Sequence, residues 1–176
     1  MSSKWLIALV FITSLNAHAI QPTHPYVAYV PTPQPVVYHM LELADVRRDD
    51  MVYDLGSGDG RIVISAAKRY GARGVGIDID PRRVHEAREN AHKAGVHGRV
   101  TFRQADLFET DLSPATVVTL YLLPSVNERL MPKLLDELAP GTPIVSHDFA
   151  IGDWKPQHTE NMDGHVIYMW TVPQPN

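Results

Sequence analysis

The sequence predicts a doubly wound α/β fold, a mostly parallel sheet with helices on both faces. Three observations carry this. Short apolar runs alternate with amphipathic ones from residue 51 to the C-terminus. The connections between them are short, as in sheets built from strand–helix–strand units. The run 115–121, "ATVVTLY", is nearly all β-branched or apolar, as a strand covered on both faces must be.

Each element has its own justification. Prolines at 22, 25, 31, 33 and 35 exclude a long regular element from 20–35. Thr32 and Pro33 read as the cap and first residue of a helix. Val36, Val37, Met40, Leu41 and Ala44 then fall at helical spacing, and the polar "DVRRDD" ends the run. Residues 51–55 read as a buried strand and 61–70 as a helix closed by Gly71. Residues 74–77 form a second strand that ends at Asp78. Asp80-Pro81 opens another helix, with Val84, Ala87, Ala91 and Ala94 on one face and Gly95 at its end. Glu89 and Lys93 can pair across one turn of its exposed side.

A third strand is expected at 99–104 and a fourth at 115–121. Leu130, Leu134, Leu135 and Leu138 make 125–139 helical by pattern. Pro132 removes a backbone donor there, so a short turn is expected first and a regular helix from about residue 132. Residues 143–146 and 164–172 are the remaining strands. "DWKPQHTENMD" between them reads as loop with room for one short edge strand, and no internal repeat is visible.

Composition narrows the function. The chain has 176 residues, 44% hydrophobic and 20% charged, enough for one domain with its own core. Its net charge of −4 argues against a nucleic-acid binder, which needs a basic face. The absence of cysteine excludes thiolate catalysis and Cys-ligated zinc. The nine histidines show no H-E-x-x-H spacing, and His85 and His92 stand two turns apart, so no metal is expected.

The opening "MSSKWLIALVFITSLNAHA" has one basic residue, an apolar run over 5–15 and a small-x-small end at Ala17-His18-Ala19. It reads as an export signal over 1–19, followed by a Pro-rich segment at 20–35 and the main domain at 36–176. Eleven helical residues span about 16 Å, short of the ~30 Å hydrocarbon core. A periplasmic chain is the first expectation, with a membrane-tethered or cytoplasmic one as alternatives.

Ligands of doubly wound sheets sit outside the carboxyl ends of the strands. After the first strand come Asp54, Gly56, Ser57, Gly58, Asp59 and Gly60. Glycines there permit φ > 0 and bare-backbone approach of a ligand; the alternative is a plain tight turn. A dinucleotide fingerprint, G-x-G-x-x-G, needs glycine at 61, where Arg61 stands, which disfavours a nicotinamide oxidoreductase. No Gly-Lys-Ser/Thr follows, so the loop is not a P-loop either. After the second strand stands Asp78, suited to both hydroxyls of a ribose, because Asp80 is better placed to cap the next helix. Just past the third strand, Asp106 can accept from an adenine amine with Leu107 or Phe108 against the ring, or can simply cap the turn.

"VYDLGSGDGR", "GIDID" and "ADLF", in this order, resemble the class I S-adenosylmethionine-dependent methyltransferases over residues 36–172. The resemblance implies a Rossmann-like sheet of class I methyltransferase type, with an antiparallel C-terminal strand and S-adenosylmethionine as cofactor. It places Asp54, Gly56, Ser57, Gly58, Gly60, Asp78, Ile79, Asp106, Leu107 and Tyr121 around that cofactor. "YVPTP", "YLLP" and "SHDF" are similar to the small lysine methyltransferases related to the mitochondrial ATP synthase c-subunit lysine methyltransferase. By that likeness Tyr29, Pro31 and Thr32 lie over the methionine part of the cofactor, and the acceptor is a protein lysine, with a small molecule as the alternative.

Three side chains at the fourth and fifth strand ends are the catalytic candidates. The Tyr121 ring face can attract an ammonium. Asp148 can orient an amine or take its proton, and His147 stands beside it. Each also has a plain reading: a buried ring, a turn cap and a core histidine. The expected partners are a protein with an accessible lysine or a small molecule, with transient membrane association, no nucleic acid and a monomeric chain. A non-catalytic binder of the cofactor in the cell envelope is the rival, because the cofactor is made in the cytoplasm.

Overall fold

The computed structural model describes residues 29–174. The expected export signal at 1–19 and the segment 20–28 lie outside the described residues. Among the described residues no helix is long and apolar enough to cross a membrane.

The order of elements is α1 (Gln34–Leu43), β1 (Met51–Leu55), α2 (Arg61–Tyr70), β2 (Arg73–Asp78), α3 (Pro81–Lys93), β3 (Val100–Gln104), β4 (Val117–Leu120), α4 (Pro124–Glu137), β5 (Pro143–His147), β6 (His158–Met162) and β7 (His165–Thr171). The strands form one seven-stranded sheet in the order β3-β2-β1-β4-β5-β7-β6. Strands β1 to β5 are parallel; β7 runs antiparallel to both β5 and β6. The strand order reverses between β1 and β4, so their carboxyl ends open the crevice where ligands of such sheets bind.

Side chains alternate across the sheet and both faces are covered. Val52, Val117, Val145 and Ile167 turn toward the core shared with α1, α2 and α3. Tyr53, Leu55, Val118, Leu120, Ile144 and Trp170 turn to the other core, with Leu130 and Leu134 of α4. Two-sided burial explains why these strands read as continuous apolar runs.

The structure corrects the sequence reading in two places. Pro33, not Thr32, is the cap of α1, in a polyproline conformation (φ −56°, ψ 142°). The Thr32 hydroxyl instead meets His147 Nδ1 at 3.1 Å. Helix α4 runs unbroken from Pro124 to Glu137 through Pro132. Pro132 is exposed while Leu130 and Leu134 on its two sides are fully buried. Burying two leucines, at about 2 kcal/mol each, offsets the lost backbone bond. The short edge strand for which the sequence leaves room is "HTENM", β6. Other boundaries differ by one or two residues.

The exposed proline costs α4 a donor without filling the core. Pro132→Ala is therefore expected to raise unfolding stability by ~1–2 kcal/mol in urea titration. A loss of stability would show that the proline bend is part of the packing.

Candidate functional site

The loop after β1 is built on left-handed backbone: φ is +80° at Gly56, +52° at Gly58 and +80° at Gly60. Two of its N–H groups, from Gly56 and Ser57, donate to the Ile77 carbonyl at 2.8 and 2.9 Å. The Asp78 carboxylate takes a third. Its Oδ2 accepts from Gly58 N–H at 2.8 Å and its Oδ1 from Asp80 N–H at 2.9 Å. Each oxygen keeps a lone pair beyond that bond. Asp80 caps α3 by accepting from Arg82 N–H, as the sequence suggests.

Residues 29–33 lie across this loop. A Cβ on Gly58 would stand 2.3 Å from a carbon of the Tyr29 ring, so only glycine admits the ring there. The Tyr29 hydroxyl accepts from Asp59 N–H at 3.4 Å, and the Arg83 guanidinium stands 4.7 Å above its ring. Arg61 ties the segment down: Nη1 donates to the Thr32 carbonyl at 2.8 Å, while Nε and Nη2 grip the Asp59 carboxylate at 2.9 and 2.6 Å. Burial works to raise the Asp59 pKa, but Arg61 prevails and holds it below the ordinary carboxylate value. Pro31 is exposed beside this strap.

Around the loop, Ser57 Oγ is buried without a hydrogen-bond partner. Ile79, next to Asp78, is 49% exposed although it is a large apolar residue. Beyond β3, Asp106 Oδ1 accepts from Phe108 N–H at 2.8 Å, so one of its oxygens serves the turn. Leu107 is half-buried against the α4-side core.

The ends of β4 and β5 bring together the other candidates. The Tyr121 and His147 rings stand 4.0 Å apart between centroids, and Phe149 lies beyond Tyr121 at 6.1 Å. Burial, and then the nearby Asp148 charge, push the Tyr121 phenol above its ordinary value. His147 is fully buried. Asp148 has φ +59° and sits at the centre of a tight turn in which Phe149 N–H donates to the His147 carbonyl at 2.7 Å. Such backbone is held only where its surroundings over-determine it. Here Asp148 N–H donates to the Val166 carbonyl at 2.7 Å, and Val166 N–H donates back to Asp148 Oδ1 at 2.9 Å. Burial favours the neutral acid, yet this bond and His165 hold the Asp148 pKa below its usual range.

Thr32 joins the two halves, through its carbonyl to Arg61 and its hydroxyl to His147. Three residues of the site are silent in the sequence. Arg61 counts there only as the residue that breaks a glycine pattern. The buried Asn127 of α4 donates to the Phe149 and Ala150 carbonyls at 3.2 and 3.3 Å, fastening the loop after β5. His165 Nδ1 stands 3.2 Å from Asp148 Oδ2. Strand pairing brings in His165, while Arg61 and Asn127 reach across the fold from helices α2 and α4, and no local spacing announces any of them.

One titration follows from the geometry. Asp54 is buried at the end of β1, bonded by the Thr119 hydroxyl at 2.8 Å. Burial pushes its pKa from 3.8 up to about 7; Thr119 opposes this, and the charges of Asp78 and Asp59 add to it. The folded chain thus keeps a proton that the unfolded chain releases near pH 4. This stabilising contribution is complete below about pH 4, falls as pH rises, and is gone above about 7. Asp54→Asn is neutral throughout. Between pH 5 and 8 its stability should gain on the wild type by roughly 2–3 kcal/mol, read from urea midpoints at each pH. A pH-independent difference would contradict the buried-acid reading.

Comparison with known proteins places this architecture. Residues 54–158 match the family described as the ANTKMT methyltransferase domain. A protein-lysine N-methyltransferase of Saccharolobus islandicus (strain REY15A) is 48% identical over 84% of this chain and 95% of its own length. The ATP synthase c-subunit lysine N-methyltransferase of Rattus norvegicus is 34% identical over 86% of this chain and 70% of its own length. A crystal structure from Salinibacter ruber, described as an RNA methyltransferase in complex with S-adenosyl-L-homocysteine, superposes with a TM-score of 0.82 at 62% identity, covering 84% of this chain and 96% of that one. With its seven-stranded, mostly parallel sheet and these relatives, the chain belongs to the ANTKMT methyltransferase-domain family and is an S-adenosylmethionine-dependent methyltransferase.

Proposed function

We propose that this methyltransferase transfers its methyl group to a protein lysine. The observation that carries this reading is the Tyr121–Asp148 pair. It sets an aromatic face and a carboxylate, suited to an ammonium, at the sheet edge that also carries the glycine loop. The names of the Saccharolobus and rat relatives favour it as well.

The residues at the loop fit the cofactor. Ser57 Oγ is buried without a partner and suits a ligand's polar atom. The free lone pairs of Asp78 take the ribose hydroxyls, and exposed Ile79 and half-buried Leu107 take the adenine faces, with Asp106 toward its amine. Gly56, Gly58 and Gly60 give the loop beneath the methionine part its left-handed backbone and its close packing against Leu122, Tyr29 and Phe102. Tyr29, Pro31 and Thr32 cover that part, and Asp54, kept protonated by burial and bonded to Thr119, closes the floor beneath it.

When bound, the cofactor supplies a sulfonium methyl: the amine lone pair forms the N–C bond as the C–S bond breaks, S-adenosylhomocysteine leaves, and the ammonium proton goes to solvent. The chain must deliver a neutral amine. Deprotonating lysine at pH 7 costs about 5 kcal/mol from a pKa near 10.4. Asp148 draws in the ammonium, the Tyr121 and Phe149 rings desolvate it and so lower that cost, and His147 fixes the Tyr121 ring. The approach must bring nitrogen within ~3–3.5 Å of the methyl.

An RNA acceptor is a second reading, because the Salinibacter relative is described as an RNA methyltransferase. The charges favour lysine. Asp78, Asp106 and Asp148 stand at the carboxyl edge of the sheet, beside the Asp59–Arg61 pair. The open basic depression of Lys68, Arg73, His97 and Arg99 lies by the starts of β2 and β3, at the opposite edge. The export signal expected at 1–19 would place the acceptor in the cell envelope.

The test is methyl transfer from labelled S-adenosylmethionine to cell-envelope extract by the purified chain. Label removed by protease and recovered as methyl-lysine is expected. Label removed by ribonuclease would overturn the lysine reading. With a lysine acceptor, Asp148→Asn should raise the acceptor KM about tenfold, the loss of ~1.4 kcal/mol of cation attraction, and leave S-adenosylhomocysteine affinity unchanged. An equal loss of cofactor affinity would move Asp148 out of the acceptor role.

A further inference from the structure

His147, Asp148 and His165 form a cluster with an unmet demand. Their candidate donor atoms all lie within 4.8 Å of one another. The edges between the facing atoms are shorter. His147 Nε2 stands 2.9 Å from His165 Nδ1 and 3.2 Å from Asp148 Oδ2, and His165 Nδ1 stands 3.2 Å from Asp148 Oδ2. Each ring nitrogen carries at most one in-plane hydrogen. Two hydrogens cannot serve three edges. With both present, the nitrogens face each other as donors. With one, a lone pair is left against the carboxylate. A cation equidistant from the three atoms satisfies every edge with no hydrogen at all.

We propose that His147 Nε2, Asp148 Oδ2 and His165 Nδ1 bind a divalent transition-metal ion of the zinc class. The donor set, two imidazoles and one carboxylate, is one that zinc takes, with its fourth position open. The edges of a zinc tetrahedron with bonds of ~2.0–2.1 Å are about 3.3–3.4 Å, close to the triangle seen here. The partners behind the ligands are already in place, as metal sites require. His147 Nδ1 faces the Thr32 hydroxyl at 3.1 Å, which frees Nε2 as the ligand atom. Asp148 Oδ1 takes Val166 N–H, which leaves Oδ2 for the ion. The Asp148 and His165 side chains are 25% and 31% exposed, so an ion has a way in, while His147 closes the floor.

No local pattern hints at this site, because the histidine spacings contain no metal motif. The ligands come from the end of β5 and the start of its antiparallel partner β7, His165 lying 18 residues from His147. A bound ion clasps those two strands and, through Thr32, the segment over the glycine loop. It also takes up the Asp148 charge, so a filled site and a cationic acceptor exclude each other. That consequence rests on the lysine reading; the site does not.

Cobalt(II), a spectroscopically visible stand-in for zinc, tests the site on the tag-free full chain stripped with chelator. One cobalt per chain with visible ligand-field absorption, displaced by zinc, is expected. His165→Ala should weaken cobalt binding at least tenfold and abolish the rise in Tm that zinc gives the wild type, while S-adenosylhomocysteine affinity stays intact and so reports a folded chain. His165→Gln should behave as His165→Ala does. Absence of ligand-field bands in the wild type, or cobalt affinity unchanged in both variants, would overturn the proposal. Zinc that binds yet leaves the acceptor KM unmoved would count against the lysine reading and leave the site standing.

Discussion

The Asp78 carboxylate holds the functional edge of this molecule together. By taking one N–H from Gly58 and one from Asp80, it joins the end of β2 to the loop after β1 and to the start of α3. A carboxylate accepting backbone N–H groups makes strong, charge-assisted bonds. With the bonds to the Ile77 carbonyl, they hold a loop whose three glycines lie in the left-handed region, a conformation that side chains disfavour. Once the loop is set, Tyr29 fills the space above Gly58, and Arg61 can reach both Asp59 and the Thr32 carbonyl. The segment before α1 thus becomes a wall of the site, not a tail leading up to it.

The same edge concentrates negative charge. Asp54 and Asp78 lie in the last residues of β1 and β2, and Asp59, Asp106 and Asp148 in the segments after β1, β3 and β5. Arg61 answers Asp59, and burial answers Asp54 by keeping it protonated near neutrality. A sheet edge with this balance suits ligands that arrive positive. S-Adenosylmethionine carries a sulfonium and an ammonium, and a lysine acceptor carries an ammonium. Fold and electrostatics therefore select for the same chemistry, which matches the family to which the chain belongs.

Much of this is legible from the residues. The alternation of apolar and amphipathic runs places ten of the eleven elements, and Asp80 with Pro81 and Gly71 after Tyr70 mark helix ends where the structure has them. These are local signals. What escapes depends on distance. Pro132 sits inside an unbroken helix because two buried leucines outweigh its missing donor, a tertiary effect that a local rule cannot weigh. Thr32 reads as a cap because the pull of His147, 115 residues away, is invisible along the chain. Arg61 and Asn127 act by reaching across the fold, and His165 enters the site only because β7 returns antiparallel beside β5. The glycine loop announces a ligand through composition; the strap that covers it and the histidine cluster beside it have no pattern to announce them.

Calorimetric titration of the full chain with S-adenosylhomocysteine, and in parallel with NAD, tests the central claim most directly: that a loop held by Asp78 is shaped for a methyl-donor nucleoside. Saturable one-to-one binding of the first and no measurable heat from the second is the predicted result. A verified folded chain that ignores S-adenosylhomocysteine, or that prefers NAD, would contradict it.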